Sequence, residues 1–266
     1  MLERSKFATL RAARRVWAVG AIHGEAERLG ALHEALWPRL RHGDRLVYLG
    51  NYLGYGAGIL GVLDQLLAFR RAFIARPGAF VSDIAFVRGA QEEMWHKLLQ
   101  LQMALDPSQV LAWMARRGVD ATVRAYGGDI TAGMAAARSS VVLLTRWTTM
   151  LREATRARPG HYDLLNALKR AALTHGGELL FVHAGLDPER PLEAQTDALW
   201  WGAGGFARLA EPYGGFRVVV RGFDPARQGM RLGRPTATLD GGCGFGGVLA
   251  AACFDLAGEV VDTIEA

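Results

Sequence analysis

A short apolar run, a glycine-bearing turn and an amphipathic helix follow one another three times in the first hundred residues, and that rhythm commits the chain to an α/β sheet. Val16–Val19 reads as a buried strand and Gly20–Gly24 as a sharp turn. A helix is expected over Glu25–Leu40, where Leu29, Leu32, Leu36 and Leu40 recur at spacings of three or four and so share one face. Arg45–Leu49 reads as the second strand. The glycine-rich stretch 50–58 comes next, then a helix over Ile59–Ile74. Ile84–Val87 is the third strand, with a helix beginning near Gln91.

From about 91 to 175 the pattern is nearly all helical: Leu98–Leu105, Ser108–Arg116, Thr131–Arg156 and, after the Arg158-Pro159-Gly160 break, Tyr162–Leu173. No linker-like stretch isolates this region, so it reads as a helical insertion within one domain spanning 1–266. Strand patterns return at Glu178–His183, Arg217–Arg221, Thr236–Leu239, Val248–Asp255 and Glu259–Ile264. The expected fold is an α/β sandwich: two mixed sheets packed face to face and flanked by helices. Its second sheet is expected to be largely antiparallel and contributed by the C-terminal third.

Composition narrows the function classes. Half of the 266 residues are hydrophobic and 21% are charged, which supports a packed core and excludes a disordered chain. The formal charge is +5, yet the only lysines are Lys6, Lys97 and Lys169, and such arginine richness points to a GC-rich, bacterial genome. The cations are dispersed, with Arg11, Arg14 and Arg15 the one tight cluster, which argues against nucleic acid as a partner. Cys243 and Cys253 have neither metal-type spacing nor a disulfide framework, which suits a reducing compartment. The cationic start lacks the apolar core of a secretory signal, and no apolar run reaches the roughly 18–20 residues of a membrane span. A cytoplasmic protein is therefore expected.

Two glycine motifs invite a nucleotide reading, and neither sustains it. Residues 242–247 formally match G-x-G-x-x-G, but strand patterns and not a helix come after them, so a tight turn between strands is the better reading. The 50–58 loop lacks the Gly-Lys-Ser/Thr ending of a phosphate-binding P-loop. His23 and His183 are more telling. Each lies just past the end of an apolar strand, in a glycine-flanked turn, at the sheet edge where α/β proteins build their sites, so the two are expected close together.

Six ordered segments carry a family resemblance. They are Gly20-Ala21-Ile22-His23-Gly24, Gly50-Asn51-Tyr52-Leu53-Gly54-Tyr55-Gly56, Arg88-Gly89-Ala90-Gln91-Glu92, Val182-His183-Ala184-Gly185-Leu186-Asp187-Pro188, Arg221-Gly222-Phe223-Asp224-Pro225 and the stretch from Leu239 to Gly247. Almost end to end, the chain resembles the calcineurin-like metallophosphoesterases of the serine/threonine phosphoprotein phosphatase and diadenosine tetraphosphatase type. The first five segments stand where that family has Gly-Asp-x-His-Gly, Gly-Asp-x-Val-Asp-Arg-Gly, Arg-Gly-Asn-His-Glu, its fourth histidine block and Gly-His-Thr-Pro. The resemblance implies two metal ions, such as Mn, Fe or Zn, held at positions that here read Ala21, His23, Asn51, Ala90, His183 and Phe223. Of these, only the two histidines match. The family's general acid falls on Gln91, its phosphate-holding arginine on Tyr55, and the second aspartate of that block on Gly54.

Charge decides between catalysis and binding. A two-metal centre gathers about +4 within a few ångströms and calls for carboxylate ligands, whereas the implied set offers His23, Asn51 and His183 and no carboxylate. Such a set would hold at most one metal weakly, and no cofactor is expected. Gln91 has no proton to trade near neutral pH. The expectation is a pseudophosphatase, with the family's fold but not its chemistry, that binds a phosphorylated or otherwise anionic ligand, or a protein partner. Arg88, Arg221 and Asp224 are the candidate ligand contacts, and Phe223, Tyr55, Trp200 and Trp201 are candidates to fill volume that the metals would have occupied. The alternative is an active phosphoester hydrolase with a reorganised site that recruits Asp44, Asp224 or Glu92.

Overall fold

The computed structural model describes residues 6–202 and 204–266. In chain order its elements are β1 (Phe7–Leu10), β2 (Arg15–Val19), α1 (Ala26–Leu36), β3 (Asp44–Tyr48), α2 (Ile59–Ile74), β4 (Ile84–Phe86) and α3 (Ala90–Leu98). The helical insertion comes next as α4 (Pro107–Ala115), α5 (Val119–Ala125), α6 (Ile130–Ser139), α7 (Val141–Ala157) and α8 (His161–Ala167). The chain ends through β5 (Ala171–Thr174), β6 (Leu179–Val182), α9 (Ala198–Trp201), β7 (Val218–Arg221), β8 (Thr236–Thr238), β9 (Ala250–Asp255) and β10 (Val260–Glu265).

The strands form two mixed five-stranded sheets, ordered β10-β9-β2-β3-β4 and β1-β5-β6-β7-β8. Side-chain alternation explains the sandwich. Val16, Ala18, Val47 and Leu49 point into the layer between the sheets, where they meet Leu179, Phe181, Val218 and Val220. Trp17, Val19, Leu46 and Tyr48 point the other way, under α1, α2 and the insertion. Leu180 and Val182 face a third cluster with Leu199 and Phe206. Both faces of β3 are buried, which is why Leu46–Leu49 reads as a continuous apolar run. The insertion has no core of its own: Leu111, Met114, Leu144 and Leu151 belong to the same cluster as Leu46 and Tyr48.

The structure corrects several sequence expectations. The second sheet is not largely antiparallel, because β1, β6, β7 and β8 each make a parallel pairing and only β5–β6 is antiparallel. The β9–β10 hairpin belongs to the first sheet, where the small apolar side chains of β9 fit between β10 and β2. The helix expected over Tyr162–Leu173 stops at Ala167, and 171–174 is a strand held between β1 and β6, a non-local pairing that overrides helical propensity. The segment 131–156 is two helices, broken at Ser140, whose hydroxyl caps α7 by accepting from Leu143 N at 3.2 Å. The first helix ends at Leu36 because Pro38, in the turn beyond it, has no N–H to continue it. Among the described residues, no helix is long and apolar enough to cross a membrane.

One buried histidine makes the fold sensitive to acid. His33 of α1 stacks on Phe69 and shares a 2.7 Å hydrogen bond with Tyr48 Oη. Burial lowers its pKa to about 4 from 6.5. Because the folded value is depressed, its neutral form contributes stability above pH 6.5 that is lost as the pH falls through about 4. In urea titrations from pH 7 to pH 4, wild type should lose on the order of 3 kcal/mol more than His33→Gln. Parallel pH profiles for the two proteins would refute this.

Candidate functional site

Five loops converge where β2, β3, β4, β6 and β7 end. They deliver His23, Asn51, the 88–92 segment, His183 and Phe223 in turn. Glu92 fixes two of these loops to each other. Its buried carboxylate accepts from Asn51 N at 2.9 Å, Leu53 N at 3.0 Å and Gly89 N at 2.8 Å. Burial pushes this carboxyl upward, while the three N–H donors pull against that shift. The loops approach so closely that a Cβ on Gly50 would lie 2.6 Å from Gly89 N and 2.9 Å from His183 Nδ1.

His23, Asn51 and Tyr55 all have left-handed backbones, with φ of 53°, 51° and 56°. Non-glycine residues held this way store strain and gather at functional sites. Asn51 Oδ1 accepts from Gln91 N at 3.0 Å, so its amide nitrogen faces His23 Nε2 at 3.3 Å and donates to it. That assignment leaves His23 Nδ1 carrying the proton, buried and without a partner. His183 Nδ1 donates to the Leu49 carbonyl at 2.7 Å, so Nε2 holds a lone pair, also buried and without a partner.

Phe223 joins the two histidines. Its ring is stacked on His183, with centroids 5.5 Å apart and planes 7° apart, and meets the His23 ring edge-on, also at 5.5 Å. Tyr55 at 5.3 Å and Phe245 at 5.1 Å complete an aromatic cage around His23. Burial lowers the pKa of His23 to about 3, helped by the nearby His183 and Arg227, and that of His183 to about 4. Both rings are neutral at physiological pH.

The other expected residues divide. Ala21 and Ala90 are buried methyl groups at the rim of this cluster. Gln91 turns its amide toward the insertion, donating to Arg117 O at 2.7 Å. Arg88 pairs with Glu93 at 3.1 Å and lies in an adjoining cleft. Arg221 and Asp224 pair with each other at 3.1 Å, and the Asp224 carboxylate caps Ala226 N and Gln228 N, so both are engaged in building the β7–β8 loop. The acids considered for a reorganised site are committed elsewhere: Glu92 to the loops, Asp224 to its turn, and Asp44 to Arg15 at 2.6 Å, at the start of β3 and away from the histidines. Trp200 and Trp201 do not fill the histidine cluster. Trp201 packs on Trp113, and Trp200 lies beneath Arg170.

Phe245 and Arg227, whose guanidinium sits 3.6 Å from the Phe245 ring centre, are site residues that the sequence reading does not reach. The sequence does carry a signal for them: a phenylalanine inside the 242–247 glycine turn. Gly244 packs so tightly that a Cβ there would collide with His23 Cβ, and this turn is what carries Phe245 to the histidine.

The two metal ions implied by the resemblance do not fit these residues. One histidine lone pair is taken by an amide, and the other lies in the plane of a ring stacked on Phe223. Among the described residues, no three His, Cys, Asp or Glu side chains gather in a metal-holding group.

No family model matches the sequence, and no curated protein matches it. Solved structures do. A protein assigned as a diadenosine tetraphosphatase superposes with a TM-score of 0.53 at 21% identity, over 97% of both chains. A serine/threonine phosphatase from Saccharomyces cerevisiae gives 0.52 at 13% identity, over 99% of this chain and 84% of the other. A cold-active protein-tyrosine phosphatase from Shewanella gives 0.53 at 12%, over 96% and 82%. The chain therefore has the calcineurin-like metallophosphoesterase fold.

Two substitutions test the construction. Phe223→Ala should destabilise the protein by about 1–3 kcal/mol, because the ring packs against both imidazoles. Glu92→Ala strands three buried N–H donors and should cost about 3 kcal/mol or more. Unchanged denaturation midpoints for either variant would contradict these contacts.

Proposed function

We propose that this chain is a pseudophosphatase: a metallophosphoesterase fold that binds an anionic ligand or a protein partner without hydrolysing it. The observation that carries this reading is the stacking of Phe223 on His183 and against His23, at a position where the resemblance implies a metal-ligating histidine. An apolar ring between two neutral imidazoles cannot compensate the charge of a dication, and hard or borderline cations need carboxylate or further imidazole ligands. Without a metal-activated water, the fold retains no nucleophile of the family's kind. Gln91, with its amide held by Arg117 O, offers no proton to a leaving group.

Purified protein should carry less than about half an equivalent of manganese, iron or zinc. It should also show no metal-stimulated hydrolysis of aryl phosphate or phosphopeptide. Manganese-dependent turnover abolished by His183→Ala would defeat the proposal.

Single reversions should not restore turnover, because groups that act as a unit are strongly non-additive. Ala21→Asp alone returns one carboxylate, while Asn51 still cannot bridge two ions. The set to compare is Ala21→Asp, Asn51→Asp, Ala90→Asn, Gln91→His and Phe223→His together, with Tyr55→Arg added for phosphate and a thermal melt as the folding control. Equal turnover from Ala21→Asp alone and from the full set would show a site far more intact than argued.

A further inference from the structure

A cleft of about 1010 Å³ opens between the β4–α3 turn, α8, the α8–β5 turn and α9. Lys6, Arg88, Lys169 and Arg170 all line it. Asp163 and Asp197 are the acids in the same lining, and Glu93 pairs with Arg88 from beside it.

Main-chain bonds gather these cations. Arg88 N donates to Lys169 O at 2.7 Å, Lys169 N to Phe86 O at 2.8 Å, and Arg170 N to Lys6 O at 2.9 Å. The edge of β4 and the start of β5 are thereby joined, and the four like-charged residues cannot separate without breaking backbone structure. Fixed like charges raise the local potential and favour an anion as counter-charge. Arg88 spends one guanidinium nitrogen on Glu93, and Arg170 spends one on the Gln195 carbonyl.

Among the described residues, two donors of the lining side chains have no acceptor. Arg170 Nε and Trp200 Nε1 are buried without a hydrogen-bond partner. They belong to side chains in mutual contact, with the guanidinium 5.2 Å from the indole ring centre. Buried donors without acceptors are rare, and this pair belongs to two residues that line the cleft.

We propose that this cleft binds the phosphoryl end of a phosphate-bearing ligand. A phosphoryl group carries close to two negative charges and three acceptor oxygens, which matches the guanidiniums of Arg88 and Arg170 and the Lys6 ammonium better than a singly charged carboxylate does. The assignment gives the binding role proposed above a location and a ligand class, and rests on that reading only in taking the bound phosphate to remain intact.

Inorganic pyrophosphate is the probe. Calorimetric titration of wild type in 50 mM salt should give a Kd below about 1 mM, weakening as salt is raised. Arg88→Gln and Lys169→Gln should each weaken binding by about tenfold or more, and pyrophosphate should raise the wild-type Tm but not theirs. Arg227→Gln, at the histidine cluster, should bind as wild type does. Absence of binding at several millimolar would overturn the proposal, as would loss in Arg227→Gln with the two cleft variants unaffected. ADP and phosphoserine titrated in parallel distinguish a nucleotide from a phosphoprotein source, and binding of either through Arg88 and Lys169 supports the cleft. Manganese-dependent cleavage of pyrophosphate or ADP would end the pseudophosphatase reading and leave the cleft assignment intact.

Discussion

The buried carboxylate of Glu92 is the contact on which the site depends. Its two oxygens accept three backbone N–H groups from two different loops, at 2.8 to 3.0 Å. Hydrogen bonds to a charged acceptor inside a protein are among the stronger ones, and a buried donor that loses its acceptor carries a large desolvation penalty. Because Asn51 and Leu53 are pinned this way, the β3–α2 loop keeps the left-handed turn at Asn51, and that turn aims the amide at His23. Glu92 also matches the family pattern. Through it the loops that carry Asn51 and Gln91 are held against each other.

Around His23 the loops place aromatic rings. Phe223, Tyr55 and Phe245 enclose His23, and the fold keeps both imidazoles neutral by excluding water from them. Desolvation by these surroundings penalises the charged imidazolium and favours the neutral ring.

Much of this is legible in the sequence. The sandwich, the loop positions of His23, Asn51 and His183, and the helix over 59–74 emerge from periodicity, glycine punctuation and block order. What stays hidden depends on distant partners. β5 is short and comes after a helix without a strong break, so only its pairing with β1 and β6 makes it a strand. Arg221 and Asp224 flank Phe223 in sequence, yet they turn toward each other, which spacing alone does not show. The bulk of Trp200 and Trp201 suggests the histidines as their place, but α9 directs them to Arg170 and Trp113. Phe245 is masked by its glycine neighbours, which read as a nucleotide motif.

The main-chain bonds between the β4 and β5 regions have a mechanical consequence. The two strands belong to different sheets, yet Arg88, Lys169 and Phe86 are stitched together across the gap. A second main-chain bond, Ala21 N to Gly222 O at 2.9 Å, ties the end of β2 to the end of β7. Sliding one layer over the other would have to break both ties, and a group seated on Arg88 and Lys169 together would bridge the first of them.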